Sequence, residues 1–567
     1  MRELFLAPAI LTLAPAILAL GVACDADSFA APPEVDDDLP LPLAAGLAPV
    51  PPMGWNSWNK FSCNVSAALI RQTADAMVAT GMREAGYRYI NIDDCWHNTA
   101  RAADGSQQPT ANFPEGIKGV ADYVHGLGLK LGIYSDRGLL TCGGKAGSEG
   151  YEQIDAMAYA AWGVDYLKHD NCRSCPSADR TDCTPMLGPE PQYRLMGDAL
   201  RGSGRDIVYS LCAWSFYEWG VGLGHLWRTT SDIRDRWTSI TTNITINQQW
   251  AAYAGPNGWN DPDMLEVGVS GGMTVTEYRA HFTMWAMMAA PLLAGNDLRT
   301  LNDGSNAEIK TILLNEEIIA IDQDPLGYQG VPVRTEGDLW VWAKPLNASG
   351  ARAVALLNKS EAAADITVTF AEIGLGSGGA KVRDLWDHAD RGTFRERFTA
   401  NVPSHGVVAL RIVGSEPRRP SGTAYLSDLD HIYAANGIGP IEKDRSNGAT
   451  AAGDGVPLSL GGTVFPKGLG VAAPSAVVYR LAKGCSRFRA TAGLDDSTTM
   501  RGSAVFQVWA DGELLWDSGP VTGAGPPVPV DVDVTGKQRL KLFVRNAGDG
   551  EAWDLATWGD ARVECSD

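Results

Sequence analysis

Residues 163–172 read "GVDYLKHDNC". The segment starts as an apolar strand and ends on Lys168, His169 and Asp170, with Cys172 closing it. Charged side chains are seldom buried unless they are paired or used. Two readings stand open from these ten residues. The strand surfaces into a solvated loop, as strand ends commonly do, or it delivers ionisable groups into a pocket. The flanking sequence decides between them.

From residue 51 to 329 short apolar strands alternate with amphipathic helical segments. "MGWNSW" precedes the helical "SAALIRQTADAMVATGM" and the strand "YRYINIDD"; "GIKGVADYVHGLG" precedes "LKLGIYSD"; "EQIDAMAYAAWG" precedes "VDYLKHD". "QYRLMGDALRGSG" precedes "DIVYSLC", with "HLWRTTSDI" next; "TINQQWAAYAG" precedes "NDPDML". "TVTEYRAHFTMWAMMAA" leads to "PLLAG" and to one helix around "NAEIKTILLNEEIIAI". Strand and helix in alternation over this length predict a (β/α)8 TIM barrel. A doubly wound open sheet is the rival, and it lacks its Gly-rich phosphate loop after the first strand. Polar groups gather at the carboxyl ends of the strands: Trp58, Asp93 and Asp94, Tyr134 and Asp136, Lys168 and Asp170, Arg228 and Asp232, and Asp263. In a barrel those ends converge on one face, where active sites form. Asp170 therefore belongs to a pocket.

Beyond residue 330 the pattern becomes alternating strands separated by turns, as in "DLWVWAKPL", "ARAVALLN" and "HGVVALRIV". It predicts an antiparallel β-sandwich over 330–414. "SEPRRPSG" at 415–422 is a linker, and 423–567 is again Gly-rich and all-β, a C-terminal β-sandwich of jelly-roll type. At the amino end, residues 1–24 read as a secretory signal, because the apolar run carries two prolines and ends in small residues. Cys24 directly behind "GVA" is a candidate lipidation site, which would make the chain a lipoprotein. Residues 25–50 form a Pro-, Ala- and acid-rich linker. Export to the periplasm, cell surface or medium is the expected localisation.

A chain of 567 residues with 45% hydrophobic and 20% charged residues is a soluble multidomain protein. Its formal net charge of −20 argues against nucleic acid as a partner. Ten cysteines in an exported chain read as disulfides. "CRSC" at 172–175 lacks a second pair at zinc spacing, and eight histidines argue against a His-rich metal site, so no metal is expected. No Ser–His–Asp arrangement is legible. Paired carboxylates with Trp and Tyr at a barrel rim suit glycoside hydrolysis, one acid attacking the anomeric carbon and another protonating the leaving oxygen. Most of the 18 tryptophans, Trp55 and Trp162 included, read as core. Cys485 and Cys565 flank the last domain and are placed to pair; Cys175 with Cys183 would make a local bridge, and Cys212 stays free.

"PPMGWNSWN", "YINIDDCW", "LGIYSD", "YLKHDNC", "WRTTSDI" and "WNDPDMLEVG" occur in the order found in the α-galactosidase (melibiase) family, glycoside hydrolase family 27, which the chain resembles over about 50–330. "VPSHGVVALRI" resembles the end of that family's carboxyl-terminal sandwich. The resemblance implies a barrel plus sandwich, retention of anomeric configuration and no cofactor. It makes Asp170 the nucleophile and Asp232 the acid/base; retention needs their carboxyl groups about 5 Å apart. Lys168 would hold sugar hydroxyls and keep Asp170 ionised. Asp93 and Asp94 would grip O4 and O6 of galactose, favouring a hexose over a pentose. Trp58 and Tyr134 would wall the pocket, Arg228 would reach toward position 2, and Tyr217, Asp263 and Met264 lie in matching segments. Cys63–Cys95 and Cys142–Cys172 match family disulfides, the latter against the sugar.

In "SLCAWSFYEWG" Ala213 stands where many α-galactosidases carry an acid or Asn facing the 2-hydroxyl. Its small size leaves room for an N-acetyl group, as in the family's α-N-acetylgalactosaminidases, whereas Phe216 would fill part of that room. Residues 423–567, with "YLSDLDHIYAANGIGPIEKDRSNG", resemble the NPCBM type of carbohydrate-binding module. Ala472 and "DLAT" at 554–557 depart from its usual residues; Trp509, Trp516, Trp553 and Trp558 are candidates for a stacking platform. The expected activity is a retaining α-galactosidase on α-galactoside-containing oligosaccharides or glycans. The alternatives are an α-N-acetylgalactosaminidase and, in another class, a non-catalytic galactoside-binding protein. Asn-x-Ser/Thr sequons begin at Asn64, Asn243, Asn347 and Asn358.

Overall fold

The computed structural model describes residues 46–172 and 188–566, apart from 449, 549 and 551. The candidate signal, Cys24 and most of the first linker, and Cys175 with Cys183, lie outside the described residues. Eight parallel strands make the first sheet: β1 (Met53–Asn56), β2 (Tyr89–Asn91), β3 (Lys130–Asp136), β4 (Tyr166–Asp170), β5 (Val208–Cys212), β6 (Leu226–Arg228), β7 (Trp259–Asp261) and β8 (Leu292–Ala294). From β1 to β7 each pairs with its neighbour in sequence, and β8 pairs with β1. The gap between β7 and β8 closes through a parallel bridge, where Leu265 N donates to Leu293 O at 2.8 Å and Gly295 N to Leu265 O at 3.0 Å. The sheet is a closed TIM barrel.

Alternation along each strand sorts side chains between barrel interior and helix layer. Tyr134 lies in register with Lys168, and Asp136 with Asp170. Gly132, two residues before Tyr134 on the same side, has no room for a side chain: a Cβ would come 1.9 Å from Asn91 Oδ1 and 3.2 Å from Tyr166 Cβ. Gly163, at the head of the quoted stretch, ends helix Glu152–Trp162 in the left-handed conformation at φ 82°. Helix Val275–Met287 starts from a Thr274/Glu277 capping box.

Two helices differ from expectation. The single helix read over 306–321 is two, Ala307–Leu313 and Glu316–Asp322. Asn315 breaks it: its Oδ1 accepts from Glu317 N and Ile318 N at 3.1 Å each, while its Nδ2 donates to Leu385 O. Asparagine competes in this way with the helical backbone. The helix before β7 starts earlier, at Trp237, and tightens into a 3-10 segment, Gln248–Tyr253. Between β5 and β6 no α-helix intervenes; residues 213–225 form a loop with one 3-10 turn, Glu218–Gly220.

From Val331 to Val413 a six-stranded antiparallel sheet faces a two-stranded one, Ala364–Thr369 with Arg397–Val402. Val354, Leu356, Val368 and Leu410 fill the space between them. The outer side packs on helix Val275–Met287, where Trp386 Nε1 donates to Thr283 Oγ1 at 3.0 Å and the buried Lys344 to Ala286 O at 3.0 Å. From Gly422 to Cys565 a six-stranded and a five-stranded sheet enclose Phe488, Phe506, Leu542 and Trp558. This C-terminal body is joined to the rest by apolar contact. Tyr433 stacks on Tyr328 at 4.9 Å and donates to Gln329 O at 2.8 Å, and Phe543 meets Tyr253 edge-on at 5.7 Å.

Disulfides join Cys63–Cys95, Cys142–Cys172 and Cys485–Cys565, and Cys212 is a buried free thiol. Two sequons are unusable in the folded chain: Asn243 and Asn358 are buried, with their amides donating to Pro262 O and to Ala362 O and Val402 O. Asn64 and Asn347 are exposed. No helix among the described residues is long and apolar enough to cross a membrane.

Candidate active site

The three ionisable residues that end β4 part company. His169 points to the helix layer, where its Nδ1 lies 2.9 Å from Tyr209 Oη and its ring meets Tyr193 edge-on. Burial pushes its pKa down to about 3, so it is a neutral packing residue. Lys168 and Asp170 take the other side. Lys168 Nζ donates to Asp93 Oδ2 at 2.8 Å, an oxygen that also accepts from Asn56 Nδ2 at 2.8 Å. Burial works against the ammonium, but Asp93 and then Asp170 outweigh it and keep Lys168 protonated.

Both oxygens of Asp170 are held. Oδ2 accepts from Tyr134 Oη at 2.9 Å, and Oδ1 accepts from Asn171 N at 2.9 Å. Burial raises its pKa above the ordinary carboxylate range against the pull of Lys168, Asn171 N and Tyr134. The Cys142–Cys172 bridge stands beside it, Cys142 Sγ lying 3.5 Å from Oδ2. Asp136 fixes that bridge: its Oδ2 accepts from Cys172 N and its Oδ1 from Gly138 N, both at 2.7 Å. The neighbouring Asp94 accepts from Thr141 Oγ1 at 2.9 Å, Gly143 N at 2.7 Å and Cys95 N at 2.6 Å, which ties the β2 end to the same loop.

Across β5 the network continues. Cys212 is the register partner of Asp170, and Arg228 Nη1 reaches its sulfur at 3.5 Å. Arg228, buried at the end of β6, places Nη2 3.0 Å from Asp232 Oδ1 and 3.0 Å from Asp263 Oδ2. Asp263 also accepts from Ile233 N at 2.9 Å, so it steadies both Arg228 and the Asp232 loop. Its own backbone has φ 83°, a conformation an L-residue adopts at some cost. Burial raises the Asp232 carboxyl, but the charge and hydrogen bond of Arg228 outweigh it and leave the group below its ordinary value. The Asp232 side chain is 71% exposed. A buried, doubly held carboxylate and an open, Arg-bound one thus occupy the same end of the barrel.

Of the other expected residues, Trp58 is half-buried beside β1, and Trp55 and Trp96 are core, their indoles donating to Asn296 O and Tyr134 O. Ala213 is buried next to Cys212. Tyr217 is 39% exposed and stacks on Trp219 at 5.3 Å. The Phe216 ring stacks on Trp250 at 4.1 Å and lies 4.8 Å from Tyr253, so that much of its surface is covered by the barrel's outer layer. In the C-terminal body Trp558 is core with Trp516 against it, Trp509 is half-buried, and Trp553 is half-exposed with Arg501 4.3 Å over its ring. Four carboxylate and sulfur groups (Asp136, Cys142, Asp170, Cys172) cluster closely, but the two sulfurs are spent on each other. Asn56 and Thr141 escaped the sequence reading, which took Cys212 only as a free cysteine; each is an uncharged neighbour of a strand-end acid or cation, a signal that needs the register to be seen.

Residues 50–324 match the family described as alpha galactosidase A, 336–412 its C-terminal beta sandwich domain, and 422–564 the NPCBM/NEW2 domain. Alpha-galactosidase 2 of Arabidopsis thaliana is 49% identical over 366 residues, covering 64% of this chain and 88% of its own. The chain belongs to the α-galactosidase (melibiase) family, glycoside hydrolase family 27. It is accordingly a glycoside hydrolase. Among solved structures, α-galactosidase I of Mortierella vinacea superposes with a TM-score of 0.60 at 36% identity, covering 65% of this chain and 98% of that one. The α-galactosidase of Saccharomyces cerevisiae, solved with raffinose, does so with 0.58 at 29%, covering 66% and 100%.

Proposed function

We propose that the chain is an exported retaining α-galactosidase that removes terminal α-linked galactose from oligosaccharides or glycans. The observation that carries this reading is the unlike pair at one end of the barrel, the buried Asp170 with both oxygens held and the open Asp232 on Arg228. Asp170 attacks the anomeric carbon as the bond to the departing oxygen breaks, and Asp232 gives that oxygen its proton. Asp232 then takes a proton from water, whose oxygen displaces Asp170 and regenerates the free carboxylate. Tyr134 and Asn171 N fix the line of attack. Asp93, Asp94 and Lys168 grip sugar hydroxyls with the lone pairs and protons their internal bonds leave over. A family relative has been solved with raffinose, an α-galactoside. Asp170→Asn is expected to cut kcat on a chromogenic α-galactoside by about 10⁴-fold or more while the protein still binds galactose. Undiminished turnover by this variant would remove the reading, and no turnover by the wild type on any α-galactoside or α-N-acetylgalactosaminide would leave a sugar-binding protein.

One observation favours the second reading, an α-N-acetylgalactosaminidase. Ala213 is small, and Phe216 lies against Trp250 instead of standing free to fill the space beside it. The ratio of kcat/KM for the two nitrophenyl glycosides decides, and the galactoside is expected to lead. The candidate signal and the disulfides support export; mass spectrometry of the mature amino terminus shows whether cleavage occurs and whether Cys24 carries lipid.

A further inference from the structure

The β5–β6 connection is the one that carries Ala213 and Tyr217, yet it has no α-helix to seat it on the barrel. Helices packed on the outside are what normally fix barrel loops. Here the loop is held by side chains, one of them, Arg545, from the C-terminal body, which also reaches the loop through Tyr253 of the barrel. Glu218, 17% exposed, accepts from Arg545 Nη1 of that body at 3.0 Å. The Tyr253 hydroxyl lies within electrostatic reach of the same Glu218 and of the Asn546 backbone. Phe216 packs at 4.8 Å on Tyr253, and Tyr253 meets Phe543 of the C-terminal body at 5.7 Å. Phe543 is buried in an apolar cluster shared with the barrel. Ala213 is followed by Trp214 at φ 57°, so the chain leaves β5 through a turn that an L-residue adopts only when its surroundings hold it.

We infer that the C-terminal body braces the β5–β6 loop, with Arg545 and Phe543 as positioning residues for the wall of the galactose site that faces the sugar's 2-position. The body is thus part of the catalytic apparatus, besides any glycan it binds on its own surface. The brace itself is read from the contacts; the loop's place at the sugar and the kinetic readout rest on the α-galactosidase reading.

The test compares full-length Arg545→Ala and Phe543→Leu with the charge-swapped double variant Glu218→Arg/Arg545→Glu. Each single variant is expected to raise KM for nitrophenyl α-galactoside about threefold or more with kcat within about twofold, and to raise the relative rate on the α-N-acetylgalactosaminide. The swap restores both toward wild type. A second readout is independent of activity: hydrogen exchange of the amides in 213–223 speeds up in Arg545→Ala, while the strands of the C-terminal body keep their protection. Wild-type KM, glycoside ratio and exchange in both single variants would overturn the brace. If the wild type turns over no glycoside, the α-galactosidase reading fails, and the exchange rates alone decide the brace.

Discussion

Lys168, His169 and Asp170 are consecutive, and each meets a different environment. His169 is neutral in the helix layer, Lys168 is paired with Asp93, and Asp170 is buried with both oxygens held. The two proposed catalytic carboxyls are displaced in opposite directions: Asp170 is raised by burial, and Asp232 is lowered because Arg228 outweighs its own burial. In the proposed mechanism Asp170 is ionised and Asp232 protonated when the first bond breaks, so kcat/KM is expected to fall at low pH as carboxylates are protonated and at high pH as Asp232 stays charged. The profile is therefore expected to be a bell with an acid optimum, and activity persisting unchanged to neutral pH would contradict it. Asp232→Ala should remove the alkaline fall. With a dinitrophenyl galactoside, whose leaving group needs no proton, and azide as acceptor, its rate only rises with pH. The midpoint lies above the ordinary carboxylate value of about 3.9. A fall that survives in this variant would mean that another group is the acid. The chemistry-bearing residue types were legible one by one in the sequence. The supports were not, because Asp136 on Cys172 N and Asp263 on Ile233 N are contacts between segments remote in the chain.

At the scale of elements, a strand of five residues suffices for β4 because its register with β3 and β5 assigns every side chain to a face. Gly132 shows how tight the barrel interior is. Gly132→Ala places a methyl group 1.9 Å from Asn91 Oδ1 and is expected to cost about 1–3 kcal/mol, read as a lowered Tm with the fold retained. An unchanged Tm would show that Asn91 can swing aside. Strand and helix positions were largely legible, since a period of two and a period of 3.6 are written in the apolar residues. The break at Asn315 was not: the same asparagine is mild within a helix and strong as a cap, and here its Nδ2 also finds Leu385 O in the sandwich. The missing helix between β5 and β6 was visible only as a short gap.

Over the whole molecule, the three bodies share apolar surface. Tyr328, Tyr253 and their neighbours lie beneath Tyr433 and Phe543. A chain ended at residue 414 bares these rings, and its barrel is expected to unfold several degrees lower by calorimetry than the barrel of the intact protein. Equal transition temperatures would make the C-terminal body a mere passenger. The sequence by itself determined the layer architecture, the strand ends that bear ionisable side chains, and the family, because apolar periodicity and short motifs are local properties of the chain. Tertiary structure alone decided which oxygens of Asp170 are held, how Arg228 is divided between Asp232 and Asp263, and that a distant β-body lies against the β5–β6 loop. The physical reason is that hydrogen bonds, charge and ring contacts depend on distances in space, which separation along the chain does not encode.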